Sequence, residues 1–341
     1  MDRRTFTTLG ASAISNLLLF GRGKADEVSS EFEDTSTGPI NALAPTLGGR
    51  QFWADELFFH EWHIQRNSLT GHCRLLDGAN LRHAWGSFEQ CSAKLEQIKK
   101  RQQLPPMSGT AVVVLHGLFR SASSMRFMGR YLRDQGNYTV FNVCYPTTRG
   151  TVAEHAARLA KIIDRLDGIE QVNFVAHSLG NLVIRHYLGD HTNPAAGQTP
   201  DLRIKRMVML GPPNQGAEMA AAFADVRLFH LVAGASASQL SRQWKELESK
   251  LATPACEFGI LAGGRGTEKG YNPLLGVDND MVVTVESTRL AGAADFAVLP
   301  VLHTIMMDDP TVQQYTLRFL QSGYFVSEAR RQPIGATNVV R

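Results

Sequence analysis

The side chains that could do chemistry in this chain are a serine, a histidine and a carboxylate. Ala176-His177-Ser178-Leu179-Gly180 sets a serine hydroxyl between small residues two before and two after it. An apolar stretch, 172–176, leads in, and a helix-patterned one, 179–188, leads out. A strand that turns sharply into a helix there lifts the hydroxyl above a sheet, and small neighbours relieve the crowding of the turn. The helix N-terminus then favours negative charge beside it. A serine so placed can attack an acyl carbon if a base takes its proton and N–H donors hold the developing oxyanion.

The donors and the base have candidates elsewhere. Val114-Leu115-His116-Gly117-Leu118 ends an earlier apolar strand, and Gly117 admits a close backbone approach. The amides of Leu118 and Leu179 are the expected oxyanion donors, and His116 reads as a structural neighbour. Chain order puts the acid and then the histidine downstream of the serine. His186 and His191 follow the serine too closely, on or just after its helix, and His230 falls in an insertion. His303 lies between a late strand and the last helix, where a loop can reach the top of a sheet. It is the expected general base and then general acid. Val277-Asp278-Asn279-Asp280 offers two carboxylates ahead of a β-branched run, 281–286. Asp280, nearer to that run, is preferred as the acid that orients His303, with Asp278 the alternative. Solvated turn carboxylates would look the same at this level.

The elements that must position these groups follow from hydrophobic patterning. Strands are predicted over 56–66, 72–76 and 81–85, the last two flanking a turn at Asp77-Gly78-Ala79-Asn80. Ser87 with Gln90 makes a capping box for a helix to about Arg101, ended by Pro105-Pro106. Then strands at 110–115, 138–144, 172–176, 204–210, 258–262 and 281–286 alternate with helices at 123–134, 152–166, 179–188 and 311–320. That alternation predicts an α/β fold with a mostly parallel central sheet covered by helices on both faces. The leading strands would add an antiparallel edge to it. An Ala-rich insertion, 216–254, carries Phe223, Leu228, Phe229 and Leu231 and reads either as a short lid or as core packing.

Composition and termini bound the rest. The 341 residues include 35 Lys and Arg and 32 Asp and Glu, interspersed, with a net charge of +3, so no nucleic-acid footprint is implied. Four cysteines are no disulfide framework, although Cys73 and Cys91 could pair in an oxidising compartment and could equally stay reduced. Arg3 and Arg4 followed by the apolar run 9–20 resemble a twin-arginine export signal over 1–25, ahead of a polar linker, 26–50. Residues 51–325 then form the catalytic domain and 326–341 a tail. No stretch is long and apolar enough to predict a transmembrane helix. His60-Glu61-Trp62-His63 is a poor metal site, because two histidines three apart in a strand face opposite ways. No cofactor is called for.

Taken together, these motifs resemble the α/β-hydrolase superfamily, and within it secreted bacterial lipase-like esterases, over about residues 108–322. His116-Gly117 is similar to that family's oxyanion turn, and Ala176 to Gly180 to its nucleophile elbow. Tyr145-Pro146-Thr147-Thr148-Arg149, Gly211-Pro212-Pro213-Asn214-Gln215-Gly216, Asn279-Asp280 with Val283, and His303-Thr304 are similar to further family segments in the family's order. Two residues depart from the pattern: Ala176 stands in place of Gly, and Met281 follows the acid where the family usually has Gly. The resemblance implies a serine hydrolase of carboxylic esters, with small-molecule or lipid ester substrates; the Ala-, Phe- and Leu-bearing composition of the insertion points separately to contact with a lipid surface through the lid. A thioesterase, amidase or acyltransferase would carry the same residues, and a non-catalytic scaffold of this fold would bind without reacting.

Overall fold

The computed structural model describes residues 44–45, 50–191, 199–216 and 243–335. The export segment, most of the linker, the core 217–242 of the lid insertion (with His230) and the end of the tail lie outside the described residues.

The strands fall into two sheets rather than one. Strands β1 (Ala44–Pro45), β2 (Trp53–Phe59), β3 (Trp62–Asn67), β4 (Cys73–Leu76) and β5 (Leu81–Gly86) form an antiparallel sheet in the order β1-β5-β4-β3-β2. The strand expected over 56–66 is two strands, because His60 turns the chain with a φ of 50°. His60 and His63 therefore do not share a strand as expected. The predicted turn at 77–80 is present, held by the Asp77 carboxylate, which accepts the amides of Ala79 and Leu81 at 2.9 Å.

The leading strands do not edge the main sheet, because they have a core of their own. Ile64, Cys73, Leu75 and Ala84 pack with Cys91 and Leu95 of α1 (Phe88–Gln102). A sheet face buried under its own helix has no need of a foreign ladder. The Ser87–Gln90 capping box that starts α1 is formed in both directions. Cys73 and Cys91 are both buried, free thiols.

The second sheet is the predicted parallel one. Strand β6 (Thr110–Leu115) leads through a 3-10 turn (Ala122–Met125) into α2 (Arg126–Gly136) and β7 (Thr139–Val143). Then come α3 (Val152–Asp164), β8 (Gln171–His177), α4 (Leu179–His191), β9 (Ile204–Leu210), α5 (Trp244–Glu248) and β10 (Glu257–Gly263). Last are β11 (Asp295–Leu299) and α6 (Pro310–Ser322). The order is β11-β10-β9-β8-β6-β7, every neighbour parallel. Alternation along β6 explains the two layers of helices. Val113 and Leu115 join one apolar cluster with Phe141 and Phe174, and Val112 and Val114 join the other with Met125, Met128 and Leu132.

The β-branched run 281–286 is not a strand. The Asp280 carboxylate takes the amides of Val282 (3.0 Å) and Val283 (2.7 Å), the donors that strand pairing would need. The chain bends instead into a bridge between Asn279 and Thr284 and a 3-10 turn (Glu286–Thr288). The last strand is β11, so Asp280 sits in the long excursion after β10 rather than just ahead of a strand.

Candidate active site

The strand order creates the site. The chain leaves β6 for β7 on one side and returns to β8 on the other, so β6 and β8 are neighbours whose connections diverge. In open parallel sheets the crevice beyond the carboxyl ends at such a reversal is where ligands bind. His116-Gly117-Leu118 follows β6 there, and Ser178 follows β8.

Ser178 has a φ of 51°, a left-handed conformation that is uncommon and strained for a non-glycine residue. Its amide bonds to the carbonyl of Leu210 (2.9 Å), and Asn181 Nδ2 donates to its carbonyl (3.0 Å), which hold the turn from both ends. Ala176, in place of the family's glycine, lies in extended β8 and is fully buried. Crowding explains the glycines. A Cβ on Gly180 would meet the carbonyls of Leu115 and His116 at 3.0 Å, and one on Gly117 would lie 3.1 Å from Ser178 Cβ. Leu118 and Leu179 thus sit on the two backbones that converge beside Ser178. Among the described residues the amide of Leu118 meets no acceptor. Phe119, one residue on, has a φ of 59° and donates its amide to Thr147 Oγ1 (3.1 Å).

His303 is buried, and its Nδ1 lies 2.6 Å from Asp280 Oδ2. The main chain reinforces the pair, with the His303 amide on the Asp280 carbonyl (2.9 Å). The Asp280 carboxylate is fully buried, one oxygen on the ring and the other on the two valine amides. Asp278 does not join it. Its carboxylate accepts the amides of Arg265, Gly266 and Asn279 and fixes the loop. Met281 takes a φ of 93°, on the side that favours glycine, at the position where the resembled family carries glycine. No hydrogen bond joins Ser178 Oγ to the His303 ring, a contact that in such sites often tightens only as the reaction proceeds.

Several supports had no local signal in the sequence. His177 Nε2 is 2.9 Å from the His303 carbonyl oxygen, so that nitrogen carries the hydrogen and donates. Burial, and then the neighbouring His303, hold His177 well below the usual imidazole range, consistent with a neutral ring. Arg120 joins two loops: its carbonyl accepts from Gln51 Nε2 (2.9 Å) and its guanidinium donates to the Thr304 carbonyl. A Cβ on Gly211 would lie 3.0 Å from His303 Nδ1 and 3.3 Å from Asp280 Oδ2, so the pair needs a bare backbone behind it. Thr147 and Asn214, both in the resembled segments, are buttresses. Asn214 accepts from Arg185 Nη1 (3.0 Å) and donates to the Thr288 carbonyl (2.8 Å).

The other histidines are held elsewhere. His116 is fully buried against the Tyr145 ring at 4.3 Å, and burial brings it down to about 4. His186 Nδ1 pairs with Asp190 (2.9 Å), and His191 Nδ1 with the Tyr187 carbonyl (2.8 Å). Among the described residues no helix is long and apolar enough to cross a membrane, and no cluster of His, Cys, Asp and Glu could hold a metal ion.

A model of the alpha/beta hydrolase family matches residues 112–333. A search of curated proteins finds no match. Among solved structures, a Listeria innocua protein is similar over 63% of this chain and 95% of its own, at 15% identity and a TM-score of 0.44. An esterase from Pyrococcus furiosus is similar over 83% of this chain and 99% of its own, at 13% identity and a TM-score of 0.44. The phospholipase PlaB from Legionella pneumophila is similar over 62% of this chain and 58% of its own, at 17% identity and a TM-score of 0.45.

Proposed function

The chain belongs to the alpha/beta hydrolase family, and from that premise we propose that it is a serine hydrolase of carboxylic esters. One observation carries the reading: a buried His303–Asp280 pair at 2.6 Å shares the carboxyl end of the sheet with a serine in a strained turn. Ser178 Oγ attacks the ester carbonyl while His303 Nε2 takes its proton. Asp280 holds the ring through Nδ1 and stabilises the imidazolium that forms. The amides of Leu118 and Leu179 receive the oxyanion. His303 then protonates the departing alkoxide, and the acyl-enzyme remains. Water, deprotonated by the same ring, releases the acid and restores Ser178.

Substrates in this reading are small-molecule or lipid esters with an acyl chain that fits above Ser178. The preference for a lipid surface rests on the Ala-, Phe- and Leu-bearing insertion, whose core lies outside the described residues. Export rests on Arg3, Arg4 and the apolar run that follows them.

The test is hydrolysis of p-nitrophenyl esters from short to long acyl chains, with Ser178→Ala beside the wild type. Hydrolysis that disappears in the variant supports the serine mechanism, and the chain-length optimum separates esterase from lipase. A folded protein that turns over no ester sinks the proposal and directs attention to thioesters, amides or binding alone.

A further inference from the structure

The small antiparallel sheet has a second face. Opposite the side under α1, Trp53, Asp55, His63, Gln65 and Arg74 line a cleft of about 610 Å³. Register explains their common side: Asp55 pairs with Gln65, and Gln65 with Arg74, in three adjacent strands. Arg126, Arg133 and Asn142 form the far wall. Neither Leu118, Ser178, Asp280 nor His303 lines this cleft, so it does not depend on the reaction proposed above.

The charges lining the cleft balance in number, three carboxylates against Arg74, Arg126 and Arg133, but they are not paired one to one. Each carboxylate is engaged. Asp55, almost fully buried, accepts from His63 Nδ1 (3.0 Å), Gln65 Nε2 (2.8 Å) and the Cys144 amide (2.6 Å). Glu61 faces Arg133 at 3.4 Å, and Asp77 holds His83 at 2.8 Å along with its turn amides. Arg74 and Arg126 have no carboxylate within ion-pair distance among the described residues. Arg74 spends Nε and Nη2 on the neutral Gln65 Oε1 (3.1 and 2.7 Å) and lies 3.8 Å over the Trp53 ring. That leaves its Nη1 edge for another acceptor. Burial brings Arg74 down to about 10. A half-buried guanidinium that feels Asp55 only through space and has no direct ion pair has lost hydration, and an oxyanion at its Nη1 edge supplies charge-assisted hydrogen bonds in return. Asp55 fixes the His63 ring through Nδ1, leaving Nε2 as its remaining polar atom. Trp53 and Phe58 supply apolar surface beside these groups.

We propose that this cleft binds a small organic oxyanion, a carboxylate or phosphoryl group on an apolar or aromatic body. Arg74 holds the oxygens with Arg126 opposite, and Trp53 and Phe58 receive the body.

The test is calorimetric titration of the full chain at low salt with phenyl phosphate, benzoate and inorganic phosphate, for wild type, Arg74→Gln and Arg126→Gln. Saturable binding of phenyl phosphate or benzoate is expected, weakened about tenfold or more in Arg74→Gln by loss of a charge-assisted contact. The loss expected in Arg126→Gln, at the exposed rim, is about two- to fivefold. The proposal fails if no probe binds at up to about 10 mM, a ceiling far weaker than ordinary ligand affinities. It fails equally if Arg74→Gln binds as the wild type does. Should Arg74→Gln not fold, Arg126→Gln decides alone, and wild-type affinity there overturns the proposal. The probes separate the sources of the anion. Tighter binding of the phenyl-bearing probes supports an organic ligand, whereas inorganic phosphate binding as tightly as phenyl phosphate overturns the organic part.

Discussion

Among the described residues two fully buried carboxylates hold a histidine ring through Nδ1. Asp280 meets His303 at 2.6 Å beyond the carboxyl ends of the parallel strands, and Asp55 meets His63 at 3.0 Å on the antiparallel sheet. The pairs differ in what surrounds them. Asp280 gives one oxygen to the ring alone and the other to two amides of its own loop. Asp55 divides one oxygen between His63 and Gln65 and spends the other on the Cys144 amide, which ties the small sheet to the end of β7. A strained serine stands near the first pair; a guanidinium with no direct ion pair stands near the second. The comparison teaches that an Asp–His contact has no function of its own. Its neighbours decide whether it moves protons, joins two sheets or orients a donor toward a cleft.

The largest effects should fall on the first pair. Ser178→Ala is expected to lower kcat on an ester substrate by about 10⁴-fold or more, and Asp280→Asn by about 10⁴-fold through loss of the correct His303 tautomer. A fluorophosphonate probe should leave one adduct, on Ser178, by mass spectrometry. Adducts on Ser121 or Ser123, which line the cleft beside the second pair, would break the comparison.

Imidazoles without a carboxylate should dominate acid stability. Burial brings His116 down to about 4 and His155 to about 3, so both are neutral in the fold, whereas an unfolded chain protonates them near 6.5. The unfolded state then binds more protons, and stability is full above pH 6.5 and falls as the pH drops toward 4. Each pKa unit carries ~1.4 kcal/mol, so urea unfolding at stepped pH should show a loss of a few kcal/mol. A flat profile would mean these rings are solvated.

Asp55→Asn should act on stability, costing roughly 2 kcal/mol because a buried acceptor of three donors is replaced by a group that can satisfy fewer. Denaturant midpoints measure it. Asp280→Asn destabilising more than Asp55→Asn, with little change in rate, would reverse the assignment of the two pairs. The smallest effect concerns Met281, half exposed with a φ of 93°. Met281→Gly should raise stability by about 1 kcal/mol, the strain relieved less the added freedom of the unfolded chain. A drop in Tm would show that the Met281 side chain contributes more than its backbone costs.

What could be read in the sequence was local. The apolar run 110–115, the Ser87–Gln90 cap and the serine between small residues depend on spacings of a few positions, and each element forms where expected. The run 281–286 misled because its β-branched side chains favour a strand, while the carboxylate just ahead captures the amides a strand would use. The turn at His60 lacks the usual Gly or Asn, so 56–66 looked continuous. The Asp55–His63 pair, Arg120 and Gly211 act across pairings that no local pattern encodes. The preference for Asp280 over Asp278 rests on nearness to a strand at 281–286 that does not form; the contact of Asp280 with His303 and the amide partners of Asp278 are what separate the two.

Arg120 ties the turn after the first parallel strand to Thr304 in the loop after the last, and Gln51 anchors it from behind. That one bond bridges two loops that belong to opposite ends of the parallel sheet's sequence. If that bond couples their motion, their main-chain amides should exchange with deuterium in a single cooperative event rather than as two independent frays.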